Sequence, residues 1–130
     1  MNITTIELPI YNLDIVILID NWEEANKKFK LGLDEDWYLS HAITMTHPVY
    51  TDKYEIFLLL RKPYLDYNTV LHELHHVLNM FCNCKGIIPD PENDEALAYL
   101  QGYIGEKILK FRDKYLKESK TLQDYEYSNL

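Results

Sequence analysis

A chain of 130 residues, 47% hydrophobic and 13% aromatic, can bury the core of one ordinary domain. Its 21 acidic and 13 basic side chains leave a formal charge of −8 and a pI near 5.0, which argues against nucleic-acid backbones and anionic membrane surfaces as partners. The longest apolar runs, IVILI at 15–19 and IFLLL at 56–60, are too short to cross a bilayer, and the start MNITTIELPIYNLD lacks the basic and apolar blocks of a signal peptide. Two cysteines, Cys82 and Cys84, form a C-x-C pair that cannot staple a fold. These features predict one domain over 1–130 in a reducing cytoplasm, with both thiols packed at a helix end.

The first element, NLDIVILID at 12–20, is short, apolar and β-branched, and reads as a buried strand. Asp20 and Glu23 have the spacing of a capping box for a helix through WEEANKKFKL, with Gly32 placed to end it. Two further strands are expected over about Trp37–Thr46 and Tyr54–Arg61. HPVYTDK, 47–53, reads as the hairpin turn between them, and Pro63 ends the second. Asp66 or Asn68 can cap a helix that ends near Gly86. IIPDPEND is a loop, in which Asp90 and Pro91 form an N-cap and first-position pair for a long helix to about Lys117. The last dozen residues, SKTLQDYEYSNL, read as loosely packed. The order β-α-β-β-α-α predicts an α+β domain: a small mixed sheet with helices packed on it.

The helix expected after Asp66 carries TVLHELHHVLNMF, 69–81, with three of the five histidines. At about 100° per residue, His76 lies about 40° from His72 and one turn along, so both imidazoles can meet one ion. Glu73 lies about 60° from His76, beside the pair and placed to hold a water bound to that ion. Val70, Leu71, Leu74, Val77, Leu78 and Phe81 fall on the far side, toward a core. This is the H-E-x-x-H arrangement of zinc hydrolases. The bland reading of the same residues is a solvent-facing histidine patch.

A catalytic zinc takes a third protein ligand and keeps one position for water. Downstream stand Cys82, Cys84, Asp90, Glu92, Asp94 and Glu95, and no histidine follows His76. Glu95 lies opposite an apolar stripe of Leu97, Leu100, Ile104, Ile108, Phe111 and Tyr115, with Tyr99 and Tyr103 on its own side. Ala98, Gly102 and Gly105 form a small-residue stripe that would let two helices come close.

HELHH, then eighteen residues from His76 to Glu95 in DEALAY, resembles the gluzincin branch of zinc metallopeptidases. The short length and the block NDEALAYLQGYIGEKI look more specifically like small zincin-like proteins of bacteriophages and prophages. The likeness covers about residues 54–110. It implies a minimal zincin-like domain in which His72, His76 and Glu95 bind Zn2+ and Glu73 is the general base. It also implies that the strand before the motif helix is a sheet edge, so that Tyr54, Ile56 and Leu58 would line an extended peptide or protein substrate. The host cytoplasm is the implied location. The large C-terminal subdomain of the bigger enzymes is missing. Tyr99 or Tyr103 could take the part of its oxyanion-steadying group, although helical tyrosines usually pack. His41 and His47 could line the cleft or lie on the surface, and His75 reads as an outer or exposed residue.

The expected activity is therefore hydrolysis of peptide bonds by a metal-activated water with a glutamate base. The alternative is an inactive zincin-fold phage protein that binds or scaffolds a partner and uses zinc to stiffen the domain. An intact Glu73 favours the enzyme, and the missing subdomain favours the alternative.

Overall fold

A computed structural model describes the backbone of residues 1–50 and 52–128, with side chains through residue 119. The expected α+β class holds, with one more strand than the sequence reading names. Strands β1 (Asn2–Leu8), β2 (Leu13–Ile19), β3 (Ile43–Thr46) and β4 (Tyr54–Leu60) form one mixed sheet in the order β1-β2-β4-β3. β1 pairs antiparallel with β2, β2 parallel with β4, and β3 antiparallel with β4. Helix α1 (Trp22–Phe29) joins β2 to the β3 segment, and helices α2 (Tyr67–Lys85) and α3 (Asp94–Ser128) follow the sheet.

The two central strands are apolar on both faces, as a sheet covered on both sides requires. Leu13, Ile15, Ile17 and Ile19 of β2, with Ile56, Leu58 and Leu60 of β4, pack on Val70, Leu74, Val77 and Phe81 of α2 and on Ile104 and Ile108 of α3. Val16, Leu18, Phe57 and Leu59 point the other way, onto Trp22, Ala25 and Leu31. The result is three layers: α2 with α3, the sheet, and α1.

Several expectations are corrected here. β1 was not foreseen: its alternation of Thr and Glu with Ile dilutes the apolar signal, and only Ile6 and Leu8 are buried. The Asp20–Glu23 capping box does not form, because Asp20 and Asn21 both take left-handed backbone angles and Asn21 becomes the cap residue without a side-chain bond. The Asp20 carboxylate instead accepts from the Lys62 N–H and the Tyr115 hydroxyl. α1 stops at Phe29, where Lys30 turns left-handed, two residues before Gly32. The Trp37–Thr46 strand is a short 3-10 turn over Trp37–Leu39 and then β3 alone. α3 starts at Asp94 because Asp90 closes a turn, accepting from the Glu92 and Asn93 N–H groups, and the helix continues to Ser128. The side-chain packing of 120–130, part of the expected loose tail, lies outside the described residues.

β4 is not an edge. It is bonded to β2 on one side and β3 on the other, and Ile56 and Leu58 are fully buried. Tyr54, Ile56 and Leu58 therefore cannot line an extended substrate. The edge next to α2 belongs to β3. Among the described residues no helix is long and apolar enough to cross a membrane.

Candidate metal centre

α2 begins and ends as its sequence demands. The Asp66 carboxylate accepts from the Thr69 N–H, and Gly86 closes the helix in the left-handed region that glycine enters without strain. The Thr69 N–H and hydroxyl hold the Asp66 carboxyl below its ordinary range. Between these caps, Val70, Leu74, Val77 and Phe81 press on the sheet, which turns His72 and His76 outward. Leu71 departs from the expected apolar face and is half exposed.

The Nε2 atoms of His72 and His76 lie 3.2 Å apart. Two imidazoles on one tetrahedral zinc, at about 2.0–2.1 Å each, would hold their nitrogens about 3.3–3.4 Å apart. The separation is close to that bite, and it is also that of an N–H···N hydrogen bond between the two rings. Ligand atoms of His72, Glu73 and His76 all lie within 4.8 Å of one another, the one such group among the described residues. Two imidazole nitrogens with a carboxylate beside them suit Zn2+ by their chemistry.

Glu73 differs from its neighbours. Its two histidines are exposed, yet it is only 7% exposed, the single buried charged side chain among the described residues. A buried carboxylate is costly unless bonded. Its Oε2 accepts a hydrogen bond from the Thr44 hydroxyl on β3. The alternation of β3 explains the meeting. Ile43 and Met45 pack on the α1 side, so Ala42 and Thr44 face α2.

A pocket of about 360 Å³ opens beside this group, lined by Ser40, His41, Ala42, Asn68, Thr69, His72 and Glu73. His41 stacks flat on Tyr64, ring centres 3.8 Å apart. Of the two histidines left open by the sequence, His41 lines this pocket but stands outside the group of ligand atoms. His47 is engaged elsewhere, with ring nitrogens at the Phe29 and Val49 carbonyl oxygens. His75 is exposed and pairs with Asn79. A larger cleft of about 760 Å³ lies near the start of α1, with Arg61 over the Trp22 ring, but no histidine lines it.

Glu95 is not in the group. It is exposed in the first turn of α3. Gly105 abuts Leu74, and the Arg112 side chain donates to the Leu65 carbonyl oxygen, so the two helices run antiparallel in a defined register. Continued to its start, that register sets Glu95 near Cys84, roughly 12 Å along the axis from His76 at 1.5 Å per residue. Tyr99 and Tyr103 are exposed and line neither the histidine pair's pocket nor its group. The small-residue stripe acts at Gly105 alone, since nothing approaches Gly102. Cys82 and Cys84 are both free, buried and half-buried, and burial pushes both thiols up from their ordinary value.

Thr44 escaped the sequence reading, which among the pocket residues named only His41, His72 and Glu73 as site candidates. The signal that could have found Thr44 is the alternation of ITMT, which gives one face of a strand two hydroxyls. Neither a family model, a curated protein nor a solved structure matches the chain.

Proposed function

We propose that this chain is a zinc-dependent peptidase of the short, phage-type zincin-like kind. The 3.2 Å separation of the His72 and His76 nitrogens, with a buried glutamate between them in sequence, carries the reading. His72 and His76 would hold the ion, which when bound supplies a water of lowered pKa and polarises a carbonyl. Glu73 would serve as the general base, accepting a proton from the attacking water and handing it to the leaving amine. Its burial suits the task, since a carboxylate withdrawn from bulk water keeps its orientation and loses competing solvent partners.

The third donor that a catalytic zinc takes is assigned to the pocket rather than to α3. His41 is the one further histidine or carboxylate lining that pocket, and its ring would have to turn from its stack on Tyr64 to join the donor atoms, whereas Glu95 stands near the other end of α2. An extended peptide would join the sheet at β3, the edge strand that carries Thr44 and follows His41. The acidic surface, the free thiols and the lack of a membrane-crossing helix among the described residues suit a peptide or protein substrate in the host cytoplasm.

The test compares wild type with Glu73→Gln on a diverse peptide library read by mass spectrometry, alongside zinc content by elemental analysis. Wild type should carry about one zinc per chain and cut peptides in a zinc-dependent way. Glu73→Gln should keep its zinc and lose turnover by a factor of about 10² to 10⁴. Zinc without cleavage in wild type would leave the binding or scaffolding alternative standing in its place. No zinc in wild type would sink both.

A further inference from the structure

The proposed chemistry needs Glu73 beside the metal and not on it. Helical spacing sets Glu73 beside the pair but does not fix its side-chain angles. The carboxylate lies within 4.8 Å of both imidazole ligand atoms, near enough for a change of side-chain angle to bring it onto the ion. What restrains it comes from the sheet. The Thr44 hydroxyl, 29 residues away in sequence, donates to Oε2. Thr44 is itself fixed by the backbone. It sits opposite Leu58 in the β3–β4 ladder, and its neighbours Ile43 and Met45 are anchored in the core on the other face.

We infer that Thr44 is the positioning residue that makes Glu73 a base rather than a metal ligand, an inference that rests on the metal-site reading above. The bond also ties the base to the edge strand where a peptide would lie. A substrate that shifts β3 would move the base with it, so strand addition and proton transfer share one element. The hydrogen bond from the Thr44 hydroxyl supplies this buried carboxylate with a partner. Its loss leaves a buried carboxylate short of a partner, which favours rotation toward whatever cation is near.

The experiment uses the full chain with Thr44→Val, which keeps the shape and loses the hydroxyl, and Thr44→Ser, which keeps the hydroxyl. Each is loaded with Co2+ in place of zinc, because the visible absorption of Co2+ reports its ligand set directly. Thr44→Val should bind Co2+ at least as well as wild type, show a changed spectrum as Glu73 enters the ligand set, and melt as a folded protein. Thr44→Ser should restore the wild-type spectrum. On any peptide that wild type cleaves, Thr44→Val should lower kcat about 10- to 100-fold, within the share a general base supplies, with KM nearly unchanged. The double variant Thr44→Val with Glu73→Gln should return to the wild-type spectrum, because the displaced ligand is gone. A Thr44→Val spectrum equal to wild type overturns the inference even when no cleavable peptide is found, and so does a Thr44→Ser spectrum that matches Thr44→Val. Wild type that binds no Co2+ removes the metal-site reading and this inference with it.

Discussion

Two glycines of α3, three residues apart on one helix, should respond to the same substitution in different ways. A Cβ added at Gly102 meets nothing within 4 Å, while one added at Gly105 comes within 3.1 Å of Leu74 Cδ2. Replacing a mid-helix glycine by alanine gains about 0.8–1 kcal/mol of helix propensity. Gly102→Ala should keep that whole gain. At Gly105 the new methyl sits about 0.4–0.9 Å inside the optimal carbon–carbon separation of 3.5–4.0 Å. Leu74 is buried and has little room to withdraw. Turning it about 30° from its rotamer costs about 0.5–1.5 kcal/mol, so Gly105→Ala should fall near wild type or slightly below. The two variants should therefore differ by about 1 kcal/mol in urea unfolding with a common m-value. For a domain of this size that is about 3–5 °C in Tm. Gly105→Leu should cost about 1–3 kcal/mol by overpacking. Equal stabilisation from both alanines would mean that α3 does not press on α2 at Leu74. The register that sets Glu95 away from His76 would then be wrong.

Two further predictions concern the caps and ligands of α2. Asp66 is held below its ordinary carboxyl value by Thr69, so the unfolded chain binds its proton more tightly, and the stabilisation is present above the ordinary carboxylate range and lost as pH falls through the depressed value. The Tm advantage of wild type over Asp66→Asn should accordingly shrink between about pH 5 and pH 2; an advantage that stays constant across that range would show that the charge contributes nothing. Glu95→Ala should hold as much zinc as wild type by elemental analysis, whereas His41→Ala, His72→Ala and His76→Ala should each lose it; zinc lost from Glu95→Ala and retained in His41→Ala would exchange the two assignments.

What could be read in advance was local. β2 and β4 announce themselves as β-branched and leucine-rich runs bounded by polar residues, and the Asp66 cap and Gly86 stop delimit α2 to within a residue. The histidine pair needs only helical spacing, so it too is legible. β1 needed a partner to be seen, since its outward face is Ile3, Thr5 and Glu7 and its burial comes from lying beside β2. The loss of the Asp20 cap is a tertiary effect: the carboxylate is drawn to Lys62 and to Tyr115, 95 residues away, and no local signal competes with that. Strand order was misjudged for a related reason. A hydrophobic run as strong as IFLLL reads equally well as edge or centre, and only the crossover that sets β2 beside β4 decides for the centre. Thr44 is invisible until β3 is known to lie along α2.

The separation of two side chains on successive antiparallel helices depends on where each stands relative to the turn, and a count of intervening residues does not measure it. Of the eighteen residues between His76 and Glu95, Val77 to Lys85 complete α2 and only Asp94 belongs to α3. The rest form the connection. Stretched out, those eight residues could reach about 26 Å and carry the start of α3 back along α2 to the level of the histidines. They are instead folded up. The Ile87 N–H donates to the Cys82 carbonyl oxygen, the Asn93 side chain donates to the Ile88 carbonyl oxygen, and Asp90 closes the turn between them. α3 thus begins beside the end of α2, and residues level with His76 come from around Tyr103. The small side chains that looked like room for a carboxylate serve a different purpose at Gly105, where they admit Leu74 to the core. A donor that completes the histidine pair is then easier to supply from the other flank, where β3 already delivers Thr44 to Glu73 and the segment before it delivers His41 to the same pocket. On this flank the partner of the proposed base, the edge strand and the proposed third donor all lie in one short stretch, Ser40 to Thr46, so a displacement of that stretch would move all three together.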